Sequence, residues 1–293
     1  MMPRMRNISG ALAVFAAMGL LAATACAPAD EPATSPPAAD ACSKDALPTL
    51  EKGVLTFGTD QPAYSPWFID DDPANGKGFE SAVAYAVADK LGYGKDDVKW
   101  VRVPFNAAIA PGPKTFDANL NEFSITDERK QAVDFSSPYF DVTQALVTLK
   151  SSPAAQVKAL DGLTGLRLGA QVGTTSYTAA KAIDPDVAVF NNNDDAKAAL
   201  VNGTVDGIVV DLPTAFYMTG AELDNGVIVG QLPQVGVPEQ FGLVLDKGSA
   251  LTGCVSTAVD QLRQDGTPAV LEKTWLAGSG GAPEPQGAST PTG

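Results

Sequence analysis

Apolar and polar positions alternate between two periods along most of the chain. Two short β-rich runs, "VLTFGT" at 54–59 and "VKWVRV" at 98–103, flank the stretch "FESAVAYAVADKLG". In that stretch Phe79, Ala82, Val83, Ala86, Val87 and Leu91 recur at helical spacing, and Gly92 follows where a helix stops. Strand, helix and strand in that order predict a βαβ unit and a parallel sheet. A second series opens near 144 with "QALVTL". It continues through "LRLGA" at 166–170, a helix from about Thr174, "VAVFN" at 187–191, the capped helix "DDAKAALVNG" and the strand "DGIVV" at 206–210. After "EQFGLVLDKGS" a helix from Ser249 presents Leu251, Val255, Ala258, Val259 and Leu262 on one face, and a shorter helix runs from Gly266 to about Trp275. No repeat at a fixed period is present. Pro138 and Pro238 stand near the points where the character changes, as two crossings between two α/β halves would require.

The ends of the chain break this pattern. Behind Arg4 and Arg6 an uncharged apolar run extends from Ile8 to about Ala23 and gives way to small residues, the zones of a secretory signal peptide at 1–25. The run is shorter than the ~20 apolar residues a membrane-spanning helix needs, and no other segment is apolar enough to cross a bilayer. "AATA" before Cys26 resembles the lipobox of bacterial lipoproteins, with Ala23 where leucine more often stands. That resemblance implies cleavage before Cys26, its diacylation and anchoring to the outer face of the cell membrane; a plain secreted protein is the alternative. Residues 26–42, rich in Pro, Ala and Ser, read as an extended disordered linker, and 278–293 as a disordered tail. With Cys26 lipidated, Cys42 and Cys254 are left as an even pair in an oxidising compartment, which predicts a disulfide.

Composition removes several kinds of chemistry. Losing 1–25 takes away Arg4 and Arg6 and no acid, so 34 acidic residues face 18 basic ones, a formal charge of −16. Nucleic acid is a poor partner for such a surface. The chain has no histidine, which excludes Ser-His-Asp and Cys-His catalysis and histidine-ligated zinc. No nucleotide-binding glycine motif, G-x-S-x-G or CxxC is present, and the cysteines are too far apart for a metal site. No cofactor or metal is expected. Carboxylate-only chemistry stays open.

What remains suits a small zwitterion. "EFSITDERKQAVDFSSPYF", from Glu122 to Phe140, puts Ser124, Thr126 and Arg129 within six residues, and the planar fork of arginine matches a carboxylate. "QVGTTSY" lies where a strand ends and a helix begins, so amides near Thr174 and Thr175 would face an anion. "IVVDLPTA" puts Asp211 just past a strand's carboxyl end, where open α/β sheets bind ligands. On the residues alone, Arg129 could instead pair with Asp127 or Glu128, Thr174 could only cap a helix, and Tyr64, Trp67 and Phe105 could be core.

Together these motifs resemble the extracellular solute-binding proteins of the polar amino-acid ABC importers, family 3, over about Leu47 to Trp275. The resemblance implies a type II periplasmic-binding-protein fold, α/β, of two lobes that are each a mostly parallel sheet flanked by helices, with two hinge crossings. Lobe one would be 43–142 plus 241–277, and lobe two 143–240. It implies that Arg129, Ser124 and the amide of Thr175 bind a ligand carboxylate and that Asp211 binds its ammonium. It further implies that Asp60, Tyr64 and Phe105 read the side chain. Read from the residues themselves, Thr174 and Gln171 are further candidates for the site, Gln171 either as a ligand contact or as a hydrogen bond between lobes. The implied protein is a monomeric, extracytoplasmic lipoprotein that delivers a polar or basic amino acid to ABC permease transmembrane subunits. The rival of another class is a cyclohexadienyl-dehydratase-like enzyme on the same fold. Glu122 departs from the pattern, standing where the family usually has a small residue. A buried carboxylate there would have to meet solvent, a cation or the ligand. Asp60 and Glu122 would favour a cationic or amide side chain over an acidic one, unless Lys114 reaches the pocket.

Overall fold

The computed structural model describes residues 42–234 and 237–276. The expected signal segment, Cys26, the linker up to residue 41, the end of lobe one at 277 and the tail lie outside them.

The elements follow the alternation read from the sequence. β1 (Leu55–Thr59) leads to α1 (Phe79–Lys90), β2 (Val98–Arg102), α2 (Phe105–Ala108), β3 (Ala118–Asn119) and β4 (Val133–Phe135). β5 (Phe140–Val142) and β6 (Gln144–Leu149) come next, then β7 (Leu168–Gln171), α3 (Thr175–Ile183), β8 (Ala188–Phe190), α4 (Asn193–Val201), β9 (Gly207–Asp211), α5 (Leu212–Tyr217) and β10 (Gly226–Gln231). The chain closes with β11 (Glu239–Phe241), β12 (Val244–Asp246), α6 (Thr252–Asp265) and α7 (Thr267–Trp275).

Two five-stranded sheets result, in the orders β2-β1-β3-β12-β4 and β10-β6-β9-β7-β8. Each holds a parallel block of three, β2-β1-β3 and β9-β7-β8, extended by antiparallel strands. β1 is buried along its whole length, as expected for a central parallel strand covered on both faces. The buried stripe of α1 differs from the one its spacing predicts. Glu80, Ala84 and Ala88 are buried beside Phe79, Val83 and Val87, whereas Ala82 and Ala86 are half-buried. Besides the core it shares with the first sheet, α1 meets α6 and α7, so its covered arc is wider than one apolar face. α6 stops at Gly266, whose φ of +79° is a left-handed cap that glycine adopts without a Cβ penalty.

Two crossings join the sheets. β5 leaves the first lobe and pairs antiparallel with the returning β11, with Phe140 opposite Phe241 and Val142 opposite Glu239. β6 begins the second sheet at Gln144. The ribbon is anchored on the first lobe by Trp67, Phe79, Phe140 and Phe241, whose rings meet at 5.2–5.8 Å, mostly edge to face. Each such pair is worth ~0.5–1.5 kcal/mol beyond the area it buries. Cys42 and Cys254 are joined, Cα to Cα 5.3 Å, so the first described residue is tied to α6.

Candidate functional site

Strand ends and helix starts converge on one cavity of about 40 Å³ between the sheets. β1 ends at Thr59 and hands over to Asp60; β7 ends at Gln171, β9 at Asp211, and α3 and α4 point their first residues inward. Of the residues expected to hold a ligand, Asp60, Tyr64, Phe105, Glu122, Arg129, Gln171, Thr174, Thr175 and Asp211 line this cavity. Ser124 is not among the lining residues, although it touches two that are.

Arg129 is buried, and its guanidinium turns inward. Nη1 donates to the Ser124 carbonyl at 2.7 Å and Nη2 to the Gly173 carbonyl at 2.9 Å, while the group lies 5.5 Å over the Phe105 ring. Phe105 in turn stacks on Phe123 at 4.7 Å. The alternative of a surface pair with Asp127 is thereby answered, since Asp127 pairs with Lys130 at 3.2 Å. The carbonyl of Gly173 is available because that residue sits at φ +76°, and a Cβ there would lie 2.1 Å from Asn106 Oδ1.

Thr174 caps α3. Its hydroxyl donates to the Gln171 carbonyl at 2.7 Å and accepts the Tyr177 amide at 3.0 Å. Asp60 accepts the amides of Gln61 and Phe105 at 2.7 and 2.9 Å, which fixes its carboxylate at the rim. The Tyr64 hydroxyl reaches the other lobe, accepting the amide of Asp194 at 3.4 Å in the first turn of α4. Trp67 is wholly buried and belongs to the core, yet its Nε1 donates to Thr214 Oγ1 at 2.8 Å across the cleft. Lys114 points elsewhere, donating to the Ala110 carbonyl.

Three carboxylates, Glu80, Glu122 and Asp211, interact at this site. Glu122 adopts φ +54°, a left-handed conformation costly for a side chain with a Cβ. Its amide is held by Glu80 Oε1 at 2.7 Å, and its Oε2 accepts from Thr214 Oγ1 at 2.9 Å. Glu122 therefore meets a hydroxyl and two other acids rather than a protein cation. Burial, then the charges of Asp211 and Glu80, push its carboxyl well above the ordinary range. Asp211, which shares a hydrogen bond with Glu122 and accepts Gln144 Nε2 at 2.6 Å, is pushed up to about 8 by burial and by the Glu239 charge. Burial pushes Glu80, bonded to the Tyr139 hydroxyl, up to about 7. A proton shared between Glu122 and Asp211 is what lets both stay inside.

Sequence reasoning missed Gln61, Pro62, Asn121, Ser176, Asn192, Asn193 and Val210, which line the cavity, and Glu80, Gln144, Thr214 and Glu239, which lie around it and hold Glu122, Asp211 and Ser124. Gln144 and Glu239 lie on the two crossings and meet only when these pair. Glu80 was open to discovery as a carboxylate beside an apolar helical stripe. Among the described residues no cluster of acids or cysteines has metal-ligand geometry, and no helix is long and apolar enough to cross a membrane.

Comparison with known proteins places the chain in a family of binding proteins. Residues 55–278 match the family described as bacterial extracellular solute-binding proteins, family 3. A probable histidine-binding protein of Campylobacter jejuni is 31% identical over 230 residues, which cover 76% of this chain and 84% of the relative. An L-arginine-binding protein of Pseudomonas aeruginosa is 30% identical over 72% of this chain and 86% of its own. Among solved structures, an ancestral arginine-binding protein bound to arginine superposes with a TM-score of 0.64 at 33% identity, covering 76% of this chain and 98% of that one. An ancestral amino acid-binding protein described as a precursor of cyclohexadienyl dehydratase gives the same TM-score at 32% identity, over 76% and 95%. The chain belongs to the bacterial extracellular solute-binding proteins, family 3, and has the two-lobe α/β fold of type II periplasmic amino-acid-binding proteins.

Proposed function

We propose that this protein captures an amino acid with a positively charged side chain and presents it to an ABC permease. The observation that carries the reading is the grouping of Glu122 and Asp211 with Arg129 in one cavity. Arg129 and the Thr175 amide take the α-carboxylate, and Asp211 takes the α-ammonium. A zwitterion brings one charge of each sign and so, once the proton shared by Glu122 and Asp211 is released on binding, leaves Glu122 unanswered. A cationic side chain reaching Glu122, with Asp60 at the rim, answers it; an acidic side chain would add to the repulsion. Relatives named for histidine and arginine, and an ancestral protein bound to arginine, support the class. Closure brings lobe two, 143–240, onto lobe one, 43–142 with 241–277, and the closed form is what the permease reads. In this reading there is no chemical step, and Cys26 carries a lipid that holds the protein outside the cell membrane. The dehydratase alternative rests on the Glu122 carboxyl as a proton donor, and nothing else in the cavity favours it.

Calorimetry of the purified protein against a panel of amino acids tests this. Arginine, lysine or ornithine is expected to bind tightest, and Arg129→Ala to weaken binding at least ~30-fold, the loss of a buried charged partner. Tightest binding of glutamate or aspartate, full affinity in Arg129→Ala, or turnover of prephenate would overturn it.

A further inference from the structure

The return crossing brings a carboxylate to the back of the site. Glu239 Oε1 accepts from Ser124 Oγ at 2.6 Å, and Gln144 Nε2 donates to its two oxygens at 3.2 and 3.1 Å. Glu239 does not line the ligand cavity. The contact is built into the backbone, because β11 pairs with β5 and Ser124 is bridged to Phe241, two residues after Glu239.

Hydrogen counting gives this contact its meaning. A hydroxyl has one hydrogen and a carboxylate can only accept, so the hydrogen of Ser124 is committed to Glu239. The Ser124 to Thr175 hydroxyl contact, at 3.1 Å, must then take its hydrogen from Thr175. Both hydroxyl hydrogens run along a chain that ends on Glu239, behind the cavity. Gln144 braces the chain, its Oε1 accepting Ser176 Oγ at 2.7 Å and its Nε2 also serving Asp211. The Glu239 charge acts on both neighbours of the clamp, favouring the cationic form of Arg129 and helping Asp211 to keep its proton.

We infer that Glu239 is a positioning residue of the carboxylate clamp, an internal competitor that, through Ser124, holds the hydroxyl hydrogen of Thr175 until an incoming α-carboxylate takes it. Competition of this kind loosens the bound state and speeds release. The inference rests on the proposed amino-acid-binding function.

The test compares L-arginine with agmatine, the same molecule without its carboxylate, on the full mature chain. Replacing a charged acceptor by a neutral one weakens the competing bond, so Glu239→Gln is expected to bind arginine about fivefold tighter. The gain should appear as slower dissociation in stopped-flow fluorescence, while agmatine binds no tighter than to wild type. Glu239→Ala carries the same expectation, so a folding failure of one variant leaves the other to decide. If wild type binds arginine and both folded variants bind it no tighter, or if arginine and agmatine tighten together, Glu239 is not a competitor for the carboxylate donors. If wild type binds neither, the functional proposal falls and this inference with it.

Discussion

Glu80 offers a measurable consequence of burying acids around one site. Its side chain is wholly enclosed, Oε1 accepts the Tyr139 hydroxyl and the Glu122 amide, and Oε2 has no partner among the described residues. Burial raises its carboxyl from the ordinary 4.5 to about 7. An acid raised in this way keeps its proton in the folded chain at pH values where the unfolded chain has lost it. Its contribution is therefore fully present below the unfolded value and is lost as pH rises through the folded one. The difference between 4.5 and about 7 corresponds to about 3 kcal/mol, most of it lost between about pH 5 and about pH 8. Glu80→Gln keeps an oxygen for Tyr139 and Glu122 and removes the titration. Urea unfolding of both proteins at the two pH values isolates the effect, since Glu122 and Asp211 titrate in both and cancel to first order. The wild type should lose roughly 2–3 kcal/mol relative to the variant on going from about pH 5 to about pH 8. A stability gap that stays constant within about 0.5 kcal/mol across that range would refute the burial of an ionisable group at this position.

Three further outcomes are expected. Reducing Cys42–Cys254, which closes a loop with a sequence separation of 212, should lower unfolding free energy by up to ~5 kcal/mol in urea titrations with and without reductant; a change within about 1 kcal/mol would mean the pair does not constrain the unfolded chain. Asp211, raised to about 8, is protonated in the free protein at neutral pH, so binding arginine should release protons and affinity should rise with pH up to about 8. Calorimetry in two buffers of different ionisation enthalpy measures this, and proton uptake would contradict it. Gly173→Ala must place a Cβ 2.1 Å from Asn106 Oδ1 at φ +76°, so it should cost ~1–3 kcal/mol of stability and displace the carbonyl that holds Arg129, visible as weakened arginine binding. Wild-type affinity in that variant would show that the carbonyl does not position the guanidinium.

Much of the fold was legible because its signals are local. The spacing in "FESAVAYAVADKLG" and the β-rich runs on either side predicted α1, β1 and β2 near their observed ends, and "QVGTTSY" announced the turn from β7 into α3. The inward reach of Arg129 was legible through the motif around it, whereas an isolated "TDER" would have read as a surface pair. What stayed hidden depends on distant partners. Gln144 opens the run "QALVTL" and Glu239 follows Pro238, with no local signal linking them; their meeting is set by the pairing of β5 with β11, roughly a hundred residues apart. The left-handed turn at Glu122 was invisible for the same reason, since the acceptor that holds its amide lies on α1. Thr214, just after Asp211, gave no sign that its hydroxyl would bridge Trp67 and Glu122.

The link between Cys42 and Cys254 has a topological consequence. It closes a covalent ring that contains both crossings and the entire second sheet. A protease that nicks any one surface loop within that ring leaves the two pieces attached, and the downstream piece still carries α6, α7 and everything after them. Such damage would pass unnoticed on a non-reducing gel and appear only once a thiol is added. A single cut then opens the ring without dividing the molecule.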